Sequence, residues 1–291
     1  MSRIKNTIIG LAAALLMVAL PGCSSIRLAY NNASQLAWWW LDGYIDFSRE
    51  QAPAARQGLD KFLEWHRATQ LPEYLPLLVA AQAQVTEPTT PVLACRWQDQ
   101  VRDKLEPSLQ RALQQAAELV PGLGDAQFKA LEARYAKGND EMRDDFMQAN
   151  ATERQAESVK RALERAERLY GRLGDAQKRV LKDGVAASPF NPELWLQERR
   201  RRQRETVQTL RRLVADKADA DTRLAALRAL VAHTERSPDT EYRAYQVKLN
   251  EYNCAFAAQL HNATTAAQRV KARETLKGWE EDLRSLIAAP P

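Results

Sequence analysis

Residues able to perform acid–base or nucleophilic chemistry are few and scattered in this sequence. The three histidines, His66, His233 and His261, are widely spaced, and no two of them form an H-x-x-x-H pair. The sequence contains no G-x-S-x-G turn, no phosphate-binding loop and no metal-spaced Cys/His cluster. The acidic runs DEMRDD and WEED lie in charge-rich helical stretches and are typical of solvated faces. We therefore predict no catalytic residues, no metal site and no cofactor.

The highest concentration of charge is the stretch QERRRRQRET at 197–206, which contains five arginines and no apolar residue. Guanidinium groups bind phosphate and carboxylate through paired hydrogen bonds. One interpretation is therefore an anionic surface, either lipid headgroups or an acidic protein client, with Arg200, Arg201 and Arg204 as the binding candidates. The other interpretation is a solvated helix that contacts nothing.

A second candidate surface is aromatic, because the stretch LAWWWLDGYIDF at 36–47 contains Trp38, Trp39 and Trp40 in succession. Three successive side chains of a helix cannot all face one core. The residues that helical spacing places on one face are Leu36, Trp39, Trp40, Tyr44 and Phe47. The three tryptophans either pack into a buried cluster against the next helix, or contact the membrane interface or a protein partner.

The first residues of the chain indicate export. An apolar stretch of about 13 residues at 8–20 follows the basic residues Arg3 and Lys5. A membrane-spanning helix needs about 20 apolar residues, so this stretch is too short to be one. Its length and basic flank are those of the apolar region of a signal peptide.

The sequence LPGC that follows resembles the lipobox of bacterial lipoproteins, although Pro21 departs from the residue usual there. The resemblance implies removal of a signal peptide at 1–22 and attachment of the mature chain to a membrane through lipids on Cys23. Ser24 and Ser25 stand where an Asp would retain a lipoprotein at the inner membrane, which implies the periplasmic face of the outer membrane. An ordinary secretory signal with an incidental Cys is the alternative.

Composition predicts the fold class. Hydrophobic residues make up 45% of the chain, and Ala, Leu, Gln, Glu and Arg, which all favour helices, are abundant. No stretch of alternating β-branched residues indicates a strand. We predict an all-α protein, built as an elongated bundle or helical array. Without Arg3 and Lys5 the net charge is near +3, too small a bias to indicate nucleic acid as a partner.

Helix starts are marked by capping sequences. A hydroxyl residue followed three positions later by Gln occurs at 48–51, 152–155 and 265–268. A polar residue before Pro marks three other starts, at Thr90, Asn191 and Ser237. The predicted helices span roughly 27–46, 49–69, 72–85, 91–105, 107–119, 125–147, 152–171, 175–186 and 192–215, with two or three more to the end.

The linker TEPTTP at 86–91 divides the mature chain into an aromatic-rich N-terminal portion, 23–86, and a helical body, 91–288. Two cysteines, Cys95 and Cys254, remain after Cys23. In an oxidising compartment an isolated pair of this kind favours a disulfide, which would tie the body into one unit. Two independent buried thiols are the alternative.

The sequence LGDAQ occurs twice, at 123–127 and 173–177. At a helix start it would place Gly at the N-cap, Asp in the first turn and Gln at the third helical position. The motif resembles the LTxxQ motif of the small periplasmic chaperones of the Spy and CpxP type, with Gly in place of Thr. That resemblance implies a protein that holds other proteins, whereas reuse of a good helix start is the simpler interpretation.

A longer resemblance covers nearly the whole chain. RLAYNNASQLAWWWLDGYIDFSREQ after the lipobox, WHRATQLPEYLPLL, and the late AQRVKARETLKGWEEDLRSL are similar to a family of uncharacterised proteobacterial lipoproteins. It implies a localisation and a helical architecture but no activity.

We therefore expect a lipid-anchored periplasmic binding protein that holds protein clients, as a chaperone-like or envelope-stress factor would. A structural or assembly lipoprotein that docks on one fixed envelope partner is the alternative. The sequence does not indicate an oligomeric state.

Replacement of Cys23 by Ala tests the anchor. Without the thiol the precursor should stay unprocessed or the protein should appear in the soluble periplasm, as fractionation and immunoblotting would show. A mature Cys23→Ala protein that remains in the membrane fraction would exclude a lipid anchor at this residue.

Overall fold

The computed structural model describes residues 23–289, and all regular structure in that range is helical, which confirms the all-α prediction. The predicted signal peptide, 1–22, lies outside the described residues. The α-helices, in chain order, are α1 (Cys23–Asn31), α2 (Ala33–Ile45), α3 (Ala52–Trp65), α4 (Leu71–Gln84), α5 (Pro91–Leu119), α6 (Asp125–Phe146), α7 (Ala151–Tyr170), α8 (Asp175–Ala186), α9 (Pro192–Ala215), α10 (Ala220–Glu235), α11 (Thr240–Asn262) and α12 (Ala266–Ala288). None of these helices is both long enough and apolar enough to span a membrane.

Several predicted helix starts are confirmed. The Thr90 hydroxyl accepts from the backbone N–H of Leu93 at the start of α5, and Asn191 accepts from that of Leu194 at the start of α9. At α12 the N–H of Gln268 donates to the Thr265 hydroxyl, while the Gln268 side chain accepts from the N–H of Thr265. These bonds satisfy backbone N–H groups that have no partner inside the helix.

Two predicted caps are wrong. α7 is capped by Asn150, whose side chain accepts from the N–H groups of Thr152 and Glu153, so Thr152 lies inside the helix. α11 is capped by Asp239 instead of Ser237. The Ser237 hydroxyl is fully buried and donates to Glu198 at 3.0 Å, so it is engaged elsewhere.

Two predicted helix breaks are absent from the structure. A single-turn π-helix, His66–Gln70, joins α3 to α4 without interruption, and the N–H of Leu71 donates to the carbonyl of His66. Pro72, which has no N–H, follows directly. α5 also continues through Pro107, which is exposed, so that water can reach the carbonyl of Asp103 that loses its partner there.

Two apolar clusters lie within the core of the described residues, and each contains one LGDAQ motif. The first joins α5, α6, α9 and α10 and comprises Ala117, Val120, Leu123, Phe128, Leu131, Val207, Leu210, Leu213 and Leu227. The second joins α7 and α8 and comprises Ala166, Leu173 and Leu181, with Phe256 and Leu260 of α11 packed against it. The Leu that opens each motif and the Leu that follows it are therefore core residues.

The N-terminal helices and the body pack against each other. The last helix, α12, lies against α4, α1 and α7. The segment that was predicted as a linker is held by the end of α11: Asn262 donates to the carbonyl of Thr89 at 2.8 Å, and His261 Nε2 lies 2.7 Å from that of Glu87. The portions 23–86 and 91–288 are thus in direct contact.

Cys95 and Cys254 join α5 to α11. Their Sγ atoms are 2.00 Å apart and their Cα atoms 5.3 Å apart, across 159 residues of sequence. Because the bonded residues are far apart in the chain, the disulfide closes a long loop in the unfolded protein.

Replacement of Cys254 by Ser should lower the stability of the exported protein. Loss of the cross-link restores unfolded-chain entropy worth about 4–5 kcal/mol in the loop-closure treatment, so the melting temperature should fall clearly. Alkylation of denatured, unreduced wild-type protein should label neither residue. Labelling of both thiols in protein taken freshly from the periplasm would contradict the bond.

Candidate functional site

Both LGDAQ motifs start helices as predicted, with Gly at the N-cap and Gln at the third position. In the first copy, the Gln127 side chain accepts from the N–H of Gly124 at 3.1 Å and donates to the carbonyl of Asp46 at 3.1 Å. In the second, Gln177 accepts from Gly174 and donates to the carbonyl of Ala263 at 3.1 Å. Each glutamine therefore caps one helix and binds the end of another.

The glycines of the two motifs fit closely against these amides. A Cβ added at Gly124 would lie 3.4 Å from the Gln127 Oε1 atom, and one at Gly174 would lie 3.1 Å from that of Gln177. The glutamines are only 8% and 6% exposed. The repeated motif thus acts inside the fold, and its Leu and Gln side chains offer no surface to a partner.

Part of the arginine-rich stretch forms an internal hydrogen-bond network, which the sequence analysis did not predict. Glu198 is 3% exposed and receives two hydrogen bonds from Arg201, at 2.7 and 2.9 Å. Arg201 also donates to Glu205 at 2.8 Å, and Glu205 lies 2.5 Å from His233 of α10. Arg201 is therefore bonded inside the protein, which leaves its guanidinium less available to a partner than the sequence predicted.

Hydrogen bonds shift the pKa values of Arg201 and Glu205 in this network. The bonds to Glu198 raise the pKa of Arg201. Burial alone would raise the pKa of Glu205, but the hydrogen bonds from His233 and Arg201 outweigh it and hold that pKa below its ordinary value. The spacing of Glu198, Arg201 and Glu205 at three and four residues was the sequence sign of this network.

Buried amides join α9 to α6. Asn139, 7% exposed, accepts from Arg199 at 2.9 Å and donates to the Gln203 side chain at 2.9 Å. These bonds fix the two helices side by side. Sequence reasoning missed Asn139, because an isolated Asn inside a helix carries no distinguishing pattern.

Arg200 and Arg204 point outward on the opposite side of α9, into a groove between α6 and α9. Both are exposed, and neither forms a hydrogen bond or ion pair within the described part of the chain. The groove holds about 310 Å³. The residues that line it are Glu132, Tyr135, Ala136, Asn139, Arg200, Gln203, Arg204, Val207 and Gln208. Burial, together with the nearby Tyr44, raises the pKa of Tyr135, which lines the groove.

The three tryptophans are divided between the two sides of α2. Trp38 is 5% exposed, stacks on Phe47 at 5.7 Å between ring centroids, and has the Arg56 guanidinium 4.0 Å above its ring. Trp39 and Trp40 are each 64% exposed. Leu36, Trp39 and Trp40 of the predicted face are exposed together and Trp38 is buried apart from them, whereas Tyr44 and Phe47 pack against the protein. Trp38 is also excluded as a partner-binding residue.

Polar bonds attach α1 to the rest of the protein. Arg27 forms an ion pair with Asp282 of α12 at 2.9 Å, and Asp282 is 3% exposed. Tyr30 lies 2.8 Å from His66 Nδ1, and Asn31 accepts from Arg67 at 3.0 Å. α1 begins at Cys23, the predicted lipid attachment point.

His66 occupies the π-helix between two tyrosine hydroxyls, those of Tyr30 and, at 3.3 Å, Tyr74. Its ring stacks on Phe62 with centroids 5.8 Å apart. Partial burial lowers the pKa of His66 from its ordinary value of 6.5. This packing is typical of a histidine with a structural role, and here it connects α1 to α4. Within the described residues, no three His, Cys, Asp or Glu side chains form a group that could hold a metal ion.

Stability should therefore decrease on acidification. Above pH 6.5 His66 is neutral in both the folded and the unfolded protein, so its full contribution to the free energy of unfolding is present there. As the pH falls below 6.5, the unfolded chain binds a proton at this residue before the folded protein does, and that contribution is lost. Urea midpoints at pH 7.5 and pH 5 would measure this, with His66→Gln as the comparison. An equal loss of stability in the variant would place the pH dependence elsewhere.

Comparison with known proteins identifies the family. A family described as "Family of unknown function (DUF6279)" matches residues 43–243, from α2 into α11. No curated protein and no solved structure matches the chain. The match covers more than half of the sequence, and the protein is therefore a member of the DUF6279 family.

Proposed function

We propose that this protein is a binding protein of the bacterial envelope, which is attached to the periplasmic face of the outer membrane through lipids on Cys23. It holds a protein partner on its helical surface and performs no chemistry on it. The sequence LPGC after an apolar stretch supports the attachment. The groove between α6 and α9 supports the binding role.

The observation that carries this proposal is the pair of exposed arginines on one wall of the groove. Arg200 and Arg204 have no carboxylate partner within the described residues. Their guanidinium groups can therefore donate hydrogen bonds to a carboxylate of another molecule. Ala136 adds exposed apolar surface beside them. The groove therefore suits an acidic side chain flanked by apolar ones.

The rigidity of the two helices that form the groove indicates which kind of partner binds there. Asn139 links both Arg199 and Gln203 to α6, so the two helices hold a fixed spacing. Surfaces that accept many clients are usually flexible or rich in Met. This observation favours an assembly lipoprotein that docks on one fixed partner over a chaperone-like factor, the other candidate. Purified protein that suppresses aggregation of unrelated unfolded proteins would favour the chaperone instead.

Arg200→Gln with Arg204→Gln should abolish partner capture without unfolding the protein. The measurement is crosslinking in cells from a photoreactive residue at Ala136. Each of the two exposed substitutions should alter the unfolding free energy by no more than about 0.5 kcal/mol. The crosslinked band captured by the wild-type protein should weaken in high salt, because salt screens the charges of the two arginines.

The matched control is Arg165→Gln with Arg179→Gln. Both are exposed arginines outside the groove, on α7 and α8, and their replacement removes the same charge. This variant should capture the partner normally. Equal capture by both variants would mean that the groove is not the binding site.

A further inference from the structure

The polarity of α1 is reversed relative to that of an ordinary surface helix. Its side chains that contact the body are polar: Arg27 meets Asp282, Tyr30 meets His66, and Asn31 meets Arg67. Its large apolar side chains Ile26 and Leu28, by contrast, are 37% and 63% exposed. A helix that packs in water normally turns its apolar side toward the protein. α1 therefore leaves apolar side chains exposed although its polar ones bind the body.

α2 continues this pattern with apolar residues on both sides. Its inner side packs on α3 and α6 through Trp38 and Ile45. Its outer side carries Leu36, Trp39 and Trp40, which are 46%, 64% and 64% exposed. A helix that is apolar all round belongs in a core or in lipid, and protein covers only one side of this one. We call Leu28, Leu36, Trp39 and Trp40 the tryptophan face.

Charge is absent from the tryptophan face. The 23 residues from Cys23 to Ile45 include only two charged ones, Arg27 and Asp42. Arg27 is paired with Asp282, and the Asp42 carboxylate accepts from the backbone N–H of Phe47 at 3.1 Å. Both charges are therefore bonded within the protein.

We propose that the tryptophan face lies in the membrane–water interface, with α1 and α2 along the membrane surface. Two features point to lipid as the occupant. Indole rings prefer the interface, where their apolar body and N–H group are both satisfied. The face also begins five residues after Cys23, and Trp40 is 17 residues from it, no more than about 25 Å along helical chain. An anchor at or before Cys23 thus holds these rings close to the bilayer.

This contact would orient the whole molecule. Because Gln127 bonds the end of α2 to the start of α6, membrane contact by α2 also fixes the body relative to the bilayer. The inference rests on the lipid anchor of the proposed function but not on the groove between α6 and α9, so failure of partner capture at the groove and failure of membrane contact by α2 are distinguishable.

Tryptophan fluorescence of the full anchored chain tests the inference. The protein is reconstituted into vesicles of phosphatidylethanolamine and phosphatidylglycerol with brominated acyl chains, which quench indoles at the interface. We expect strong quenching in the wild type and loss of most of it in Trp39→Phe with Trp40→Phe. Trp279→Phe, which removes a 39% exposed indole on α12, is the matched control and should keep the quenching.

A second quencher separates lipid from other occupants. Iodide in the aqueous phase should quench the wild type no more strongly than the double variant, because lipid shields Trp39 and Trp40. The proposal is wrong if brominated lipid quenches the double variant as strongly as the wild type. It is also wrong if iodide quenches Trp39 and Trp40 on vesicles that contain no other protein. The face would then be free to receive a protein.

Discussion

Two buried glutamine amides hold together helices that lie far apart in the sequence. Every helix start leaves N–H groups without partners and every helix end leaves carbonyls without partners. Burying such a group unpaired costs roughly 1–3 kcal/mol. Gln127 and Gln177 each satisfy one group of both kinds, and so fix where α6 meets the end of α2 and where α8 meets the end of α11. The placement of the tryptophan face depends on the first of these contacts.

Local sequence rules predicted several helix starts at capping residues that have no other partner. Thr90, Asn191 and Thr265 are such cases. The rule failed at Ser237 because its hydroxyl donates to Glu198, 39 residues earlier, and Asp239 caps the helix instead. It also predicted a break at Pro107, where solvent exposure lets the helix continue. Partners that come from elsewhere in the fold leave no mark within a capping sequence.

The arginine-rich stretch shows why charge density did not predict exposure. Its interactions inside α9 follow helical spacing and were visible in the sequence, but His233 of α10 and Ser237, just before α11, were not. A buried ion pair contributes little net stability, whereas removal of one partner leaves a costly unpaired charge. The network around Glu198 therefore restricts how α9 can sit against α10 and α11. Arg200 and Arg204 lie outside this network and line the groove.

The errors at α9 and α2 have the same physical origin. A hydropathy pattern reflects the surroundings on every side of a helix, not only the core of its own protein. α9 is polar around the arginine-rich stretch because other helices supply polar partners to its inner side. α2 is apolar on both sides because, in the proposed arrangement, protein covers one and lipid the other. Successive tryptophans that point in opposite directions, Trp38 inward and Trp39 and Trp40 outward, meet both requirements within a single turn.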